Sequence, residues 1–281
     1  MSAREIEERV MKGLMIGSTC VVGGILLFII ATVLVKGLPA FSLGMLTRVP
    51  EGGYYLGKEG GILNAILGSV LLGVGATALA GLAGLPVALY LNAYLGKNSR
   101  LALLVRFSLD VLWGIPSIVY GAFGFAVLVL LGMRASLLAG TLTVALLILP
   151  IVVRSMDEVL KLVPFELKEA AFALGSTRLE MAIRVLARHS LPGLVAALLI
   201  AFGRGIGDAA SVLFTAGFTD SVPRSLFGPV ATLPLAIFYQ LGTPFPEVQA
   251  RGYASAFVLT ILVLAVSLVS RYLLRRMSGW K

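Results

Sequence analysis

Long apolar runs alternate with short polar stretches along this chain, and the length of the runs decides what they are. Residues 13–35, 62–91, 101–131, 137–156, 191–217 and 254–274 are dominated by apolar side chains and glycine. About 20 such residues in helical form cross a hydrocarbon core. The pattern therefore predicts an all-α, polytopic membrane protein with six transmembrane helices. Between the helices lie a Gly/Pro-rich loop (36–61), two short turns, a charged stretch (157–190) and a proline-rich loop (220–253). Residues 1–12 read as a short tail forming an interfacial helix, 13–276 as one transmembrane domain, and 277–281 as a second tail.

Composition agrees. Of 281 residues, 58% are hydrophobic and 13% charged, against about 25% charged in soluble domains. Mean hydropathy is +0.98. The formal charge of +9 would suggest nucleic acid in a soluble protein, but in a membrane protein it must first be sorted by side. With the N-terminus inside, 16 Lys and Arg fall on the cytoplasmic side and 6 on the other, leaving Arg204 within a span. That bias predicts cytoplasmic termini and a cytoplasmic 157–190 insert, and it accounts for the charge without nucleic acid. The first apolar run is too long for the core of a signal peptide and no small-x-small cleavage site follows it, so it reads as an uncleaved span. The single cysteine, Cys20, allows no intrachain disulfide, and the single histidine, His189, has no partner at metal-ligand spacing. The stretch Gly52 to Glu59, GGYYLGKE, fits a phosphate-binding loop up to its last position. There Glu59 stands where Ser or Thr would hold magnesium, and strand and helix flanks are missing. No ATPase is expected in this chain.

The insert carries its own punctuation. Pro164 suits a first helical position, and Glu166 and Glu169 favour the positive end of a helix. Gly175 ends that helix, and Thr177 with Glu180 makes a capping box that starts another. In the second helix Leu179, Ile183 and Leu186 are expected on one face, with Arg178, Arg184 and Arg188 away from it. From pattern alone, the insert is either an amphipathic segment resting on lipid headgroups or a docking surface.

Arg204 is the one basic residue deep in a predicted span. A charge there costs at least about 2.5–3.5 kcal/mol, so it is expected to face the bundle interior. Asp208, at i+4, can pair with it, and Gly203, Gly205 and Gly207 clear space around the pair. The pair is either a structural ion pair or part of a path for an anion. Ser117, beside Pro116, offers a hydroxyl where proline frees a backbone carbonyl and can kink the helix.

Four stretches carry a family resemblance. Glu169-Ala170-Ala171-x-x-x-Gly175 resembles the EAA signature of ABC-importer permeases, although the usual Ile-x-Leu-Pro is replaced by Val185-Leu186-Ala187-Arg188. Residues 114–121, GIPSIVYG, resemble the G-[VI]-P-S-I-V-x-G of phosphate-importer permeases of the PstA type. Residues 154–158, RSMDE, resemble their R-T-T-E-E. Residues 204–215, RGIGDAASVLFT, resemble R-x-x-G-E-T-A-P-L-L-F-T, with Asp208 for Glu, Ala209 for Thr and Ser211 for Pro. The resemblance spans roughly residues 60–275 in order.

It implies a permease subunit of an ATP-driven phosphate importer in a bacterial or archaeal cytoplasmic membrane. The implied complex holds a homologous second permease, two cytoplasmic ATPases that bind ATP and magnesium, and an external phosphate-binding protein, all among membrane lipids. This chain would bind no cofactor and break no bond. Glu169, Ala170, Ala171, Gly175 and Thr177 would couple to the ATPase. Arg204, Asp208, Arg154 and Ser117 would line the substrate path. Phosphate suits an arginine, whose fork donates bidentately to its oxygens. The alternatives are a permease for another solute, such as sulfate or molybdate, and a secondary transporter that works alone.

Overall fold

The computed structural model describes residues 3–51, 59–95 and 99–278. Most of the phosphate-loop-like stretch (52–58), part of the first predicted turn (96–98) and most of the second tail (279–281) lie outside the described residues. In chain order the elements are α1 (Ala3–Gly37), α2 (Leu43–Thr47), the strands β1 (Pro50–Glu51) and β2 (Glu59–Gly60), α3 (Leu63–Ala93), α4 (Arg100–Gly114), α5 (Ser117–Leu130), α6 (Leu137–Lys161), α7 (Phe165–Ala173), α8 (Arg178–Glu180), a π-helical stretch (Met181–Ala187), α9 (Leu191–Ile206), α10 (Leu233–Leu241) and α11 (Pro246–Ser278). The two strands pair antiparallel, Pro50 opposite Gly60 and Glu51 opposite Glu59.

Four helices, α1, α3, α6 and α11, are each long and apolar enough to cross a membrane, and two bent helix pairs bring the total to six if each pair is one span. The fold is the polytopic helical membrane protein that the apolar runs predict. At its centre α6 is the most enclosed long helix, and α1 is the least. Leu72, Ala76 and Ala80 of α3, Val144, Ile148 and Val152 of α6, and Leu194, Ala197 and Ala201 of α9 share one core. Small residues bring the backbones close where no hydrophobic force acts between helices in lipid. Gly84 of α3 lies against Val152 and Val153, and Gly205 of α9 against Val144. The α1 helix packs along α11, where Gly37 meets the Tyr253 carbonyl and Lys36 sits over the Tyr253 ring.

Five sequence expectations change. Residues 3–12 are no separate interfacial helix but continue into α1, which runs 35 residues without a break. The third apolar run is two helices, α4 and α5, bent by 96° at Ile115 and Pro116. Both residues are extended (ψ 130° and 139°), since proline pushes its predecessor out of the helical region. The fourth helix continues to Lys161, so 157–161 belong to α6. The fifth helix stops at Ile206, and 210–216 proceed as turns. The loop 220–253 is not all loop. It contains α10, begun by the Thr232 hydroxyl accepting the Leu235 N–H, and the start of α11.

The two ends of the 217–233 segment are tied to α3, while its middle, around Leu226 and Phe227, is exposed. The Leu233 N–H donates to Ser69 Oγ at 2.7 Å, and Asn64 Nδ2 donates to the Thr219 carbonyl at 2.7 Å. A Cβ at Gly68 would sit 2.0 Å from the Ala231 carbonyl oxygen, so only glycine admits that approach.

Candidate functional site: a broken helix with one arginine

Arg204 stands in the last turn of α9, 13 residues on from Leu191, about 20 Å along the axis at 1.5 Å per residue. Its Nη1 lies 2.9 Å from Asp208 Oδ1, so the sequence-predicted pair forms. The two residues do not share one helix. Gly207 is the C-cap of α9, and Asp208 turns its other oxygen forward to accept the Ser211 N–H at 2.8 Å. Asp208 therefore ties the guanidinium to the start of the next turn, as an N-cap residue does. Its side chain is 5% exposed, whereas Arg204 is 46% exposed.

The glycines divide their roles. Nothing lies within 4 Å of a Cβ built at Gly203, and Gly207 would meet only the Gly203 carbonyl. These two leave open space beside Arg204. Gly205 does the reverse, packing α9 onto Val144 and Ile148 of α6. Behind the break, Gly121 of α5 sits on the carbonyls of Ala210 and Ser211. Ser117 is one turn earlier on α5, at its half-buried first residue. The structure thus pairs Arg204 with Asp208 and packs α5, through Gly121, on the turn that follows them.

It does not bring Arg154 there. Gly205 contacts α6 at Val144 and Ile148, and Arg154 lies 6–10 residues further along α6, which is about 9–15 Å. Arg154 is instead committed to three carboxylates: Asp110 at 2.8 Å, Glu158 at 3.2 Å and Asp157 at 3.4 Å. A cation so engaged is held on α6 and α4, away from the level of Arg204.

Arg154 belongs to a cluster that the sequence reading passed over. Asp157 is fully buried, and Arg106 of α4 grips it with two bonds, Nε–Oδ2 at 2.9 Å and Nη2–Oδ1 at 3.0 Å. Lys161 reaches the same carboxylate at 2.8 Å, and Asn92 of α3 donates to it at 2.8 Å. Buried carboxylates persist only when paired and hydrogen-bonded, and this one is held by three helices. Its spacing to Arg154 and Lys161 was a signal of pairing, hidden because Asp157 fell in the stretch assigned to the insert.

The insert keeps its predicted punctuation. Gly175, at φ +81°, closes α7 with two bonds, its own N–H to the Phe172 carbonyl at 2.9 Å and the Ser176 N–H to the Ala171 carbonyl at 3.1 Å. That is the left-handed termination glycine favours. Thr177 and Glu180 form the full capping box. Glu169 and Ala170 are exposed and Ala171 is buried. Leu162, Phe165 and Leu174 are also exposed, the first and last above 80%. The expected apolar face of the second helix is displaced. Leu179 and Ile183 are exposed, while Met181, Ala182 and Leu186 are buried. The cause is the winding of 181–187, where i→i+5 bonding moves each residue off its α-helical position.

The sequence model of the family described as "Binding-protein-dependent transport system inner membrane component" matches residues 80–279. The chain belongs to that family. Its curated relatives include the phosphate transport system permease protein PstA of Xylella fastidiosa strain 9a5c, 36% identical over 87% of this chain and 84% of the relative. The PstA of Haemophilus influenzae is 34% identical over 95% of this chain and 94% of the relative. Among solved structures, an inward-facing MetNI methionine ABC transporter is similar with a TM-score of 0.64 at 21% identity, over 77% of this chain and 95% of that one. A member of this family is a transport component of the inner membrane, and the apolar helices fit a multi-pass protein.

Proposed function

We propose that the chain is the permease subunit of an ATP-driven phosphate importer. The reading is carried by one observation: a half-exposed guanidinium, held by a buried carboxylate at a break in a membrane-depth helix, with open space left by two glycines. Broken helices that end inside a bundle are where transporters place ionic solutes, and a bidentate fork matches phosphate oxygens. The PstA relatives point to the same solute. The insert is the docking surface for a cytoplasmic ATPase pair. Its exposed Glu169, Ala170, Phe165 and Leu174 present a mixed apolar and charged tip, which fits a protein groove better than headgroups. A second permease and an external phosphate-binding protein complete the complex. ATP and magnesium sit in the ATPase subunits, and this chain moves solute without bond chemistry.

The test is transport. The chain, purified with its co-assembling ATPases and reconstituted with a binding protein, is expected to take up radiolabelled phosphate only with ATP, and a large excess of sulfate or molybdate should not compete. Competition by either oxyanion would reassign the solute. Uptake that ignores ATP but follows an ion gradient would overturn the importer reading.

We further infer that the termini and 162–190 face the cytoplasm while 36–61 and 218–253 face outward. In a Cys20→Ala background, an impermeant maleimide should label a cysteine at exposed Leu226 in intact cells and leave one at exposed Leu174 unlabelled. The opposite pattern inverts the topology.

A further inference from the structure

The Arg106–Asp157 contact is the centre of a two-rung link between α4 and α6. On the second rung Asp110, one turn from Arg106, bonds Arg154, nearly one turn from Asp157. Two rungs on one face resist pivoting as well as separation. The link is local on one side and leads far on the other. Along the chain, α6 passes through only Leu162, Val163 and Pro164 into α7 of the insert.

On the other side α4 turns through 96° into α5. A bend at proline is ordinarily a loose joint, but this one is strapped. The Tyr120 hydroxyl of α5 donates to the Leu112 carbonyl of α4 at 3.0 Å. The two helices therefore form one L-shaped body. An apolar cleft of about 350 Å³ lies in the corner, between Leu112, Ile115 and Tyr120 on one side and Leu146, Leu149 and Pro150 of α6 on the other. The α5 arm meets the break one turn past the elbow: Gly121 rests on the Ala210 and Ser211 carbonyls, and the Ser211 N–H donates to Asp208.

We propose that Arg106 and Asp157 are positioning residues for transport. They clamp the α4–α5 lever to α6, so that a displacement of the insert is delivered through the strapped elbow to the segment that holds Arg204. The proposal rests on the reading of the insert as the ATPase docking surface. The clamp touches no solute. Its six charges, three of each sign, cancel among themselves, which suits a mechanical joint and not an anion site. A discrete element that both sites bias is what coupling between distant sites requires.

The experiment uses the full complex with its ATPases. A cysteine at position 119, exposed on α5 and outside the proposed solute path, in the Cys20→Ala background reports the elbow through its rate of reaction with a small maleimide, with and without ATP plus vanadate. The parent is expected to change its rate about tenfold on ATP trapping, and Arg106→Gln to lose that change, as a network contribution of this size permits. Arg106→Lys, which keeps the charge but one bond fewer, should fall between. Tyr120→Phe removes only the strap and is expected to fold normally, keep ATP hydrolysis, and lower both the labelling response and the phosphate moved per ATP several-fold. If Arg106→Gln fails to assemble, Tyr120→Phe and Asp110→Asn, both changes at partly exposed residues, decide the question. An unchanged labelling response and transport ratio in these variants would overturn the proposal. Failure of the underlying reading shows separately: the parent itself would then give no labelling response to ATP.

Discussion

Arg204→Gln is expected to reduce solute uptake by a hundredfold or more while the protein still inserts, assembles and supports basal ATP hydrolysis. The size follows from what is removed. Truncating one member of a hydrogen-bonded charge pair costs about 2–5 kcal/mol, much of it because the other charge, here the buried Asp208, is left unpaired, and Gln offers neither the charge nor the fork. Arg204→Lys should be nearly as poor, because an ammonium keeps the charge without the bidentate geometry. A charge-reversed pair, the obvious control for a purely structural ion pair, is confounded by the second role of Asp208. An arginine at 208 could not accept the Ser211 N–H, so the reversed pair would lose the turn as well as the geometry. Asp208→Asn separates the roles. It retains an oxygen for the Ser211 N–H and drops the charge that opposes an anion at Arg204, so it should bind solute more tightly and release it more slowly. Asp208→Ala loses the capping bond too, about 0.5–2 kcal/mol, and should show lower thermal stability. The checks are uptake, equilibrium solute binding and a melting curve on the same preparations. Near-normal uptake in Arg204→Gln would remove this residue from the path.

Gly175→Pro should uncouple the system, with ATP hydrolysis continuing and solute movement falling at least tenfold. Proline fixes φ near −65°, whereas Gly175 holds +81° and donates its N–H to the Phe172 carbonyl. Both the turn and a terminating bond are lost, at about 3 kcal/mol or more. That is enough to swing α7 away from α8 without touching the bundle core. Gly175→Asn, which tolerates the left-handed region and meets open space there, should keep most coupling. Glu169→Lys reverses an exposed charge on the same surface and should weaken docking without altering the fold. ATP hydrolysed and phosphate moved, measured together in vesicles, check all three. Normal ratios in Gly175→Pro and Glu169→Lys would mean that the insert does not couple.

The apolar runs revealed the spans because membrane depth leaves little choice of side chain, and the caps of the insert were legible because they are local. Gly175, Thr177 and Glu180 need only their neighbours. What escaped was set by packing. The stop of α9 had signals in Gly207 and Asp208, a favoured C-cap and N-cap pair, but they were absorbed by an apolar run that continued past them. Pro116 suggested a kink, and the 96° bend it makes is braced by the Tyr120 hydroxyl, eight residues from its partner and invisible to periodicity. The burial of Met181, Ala182 and Leu186 follows a π winding that no spacing rule anticipates. Arg154 was placed on the solute path because a cation near a family motif looks available. Its three carboxylate partners, one of them on another helix, are visible only in the fold.

The dependence of residues 217–233 on α3 has a consequence for how the protein is made. Buried irregular backbone must find partners for its polar groups, and at the two ends of this segment the partners are side chains presented by α3, Asn64 for the Thr219 carbonyl and Ser69 for the Leu233 N–H. Translation completes α3 some 125 residues before this segment begins, so on emergence it meets a surface already in place. Nucleation is thereby built into the order of synthesis: the early helix is a template, and the late segment has one place to settle.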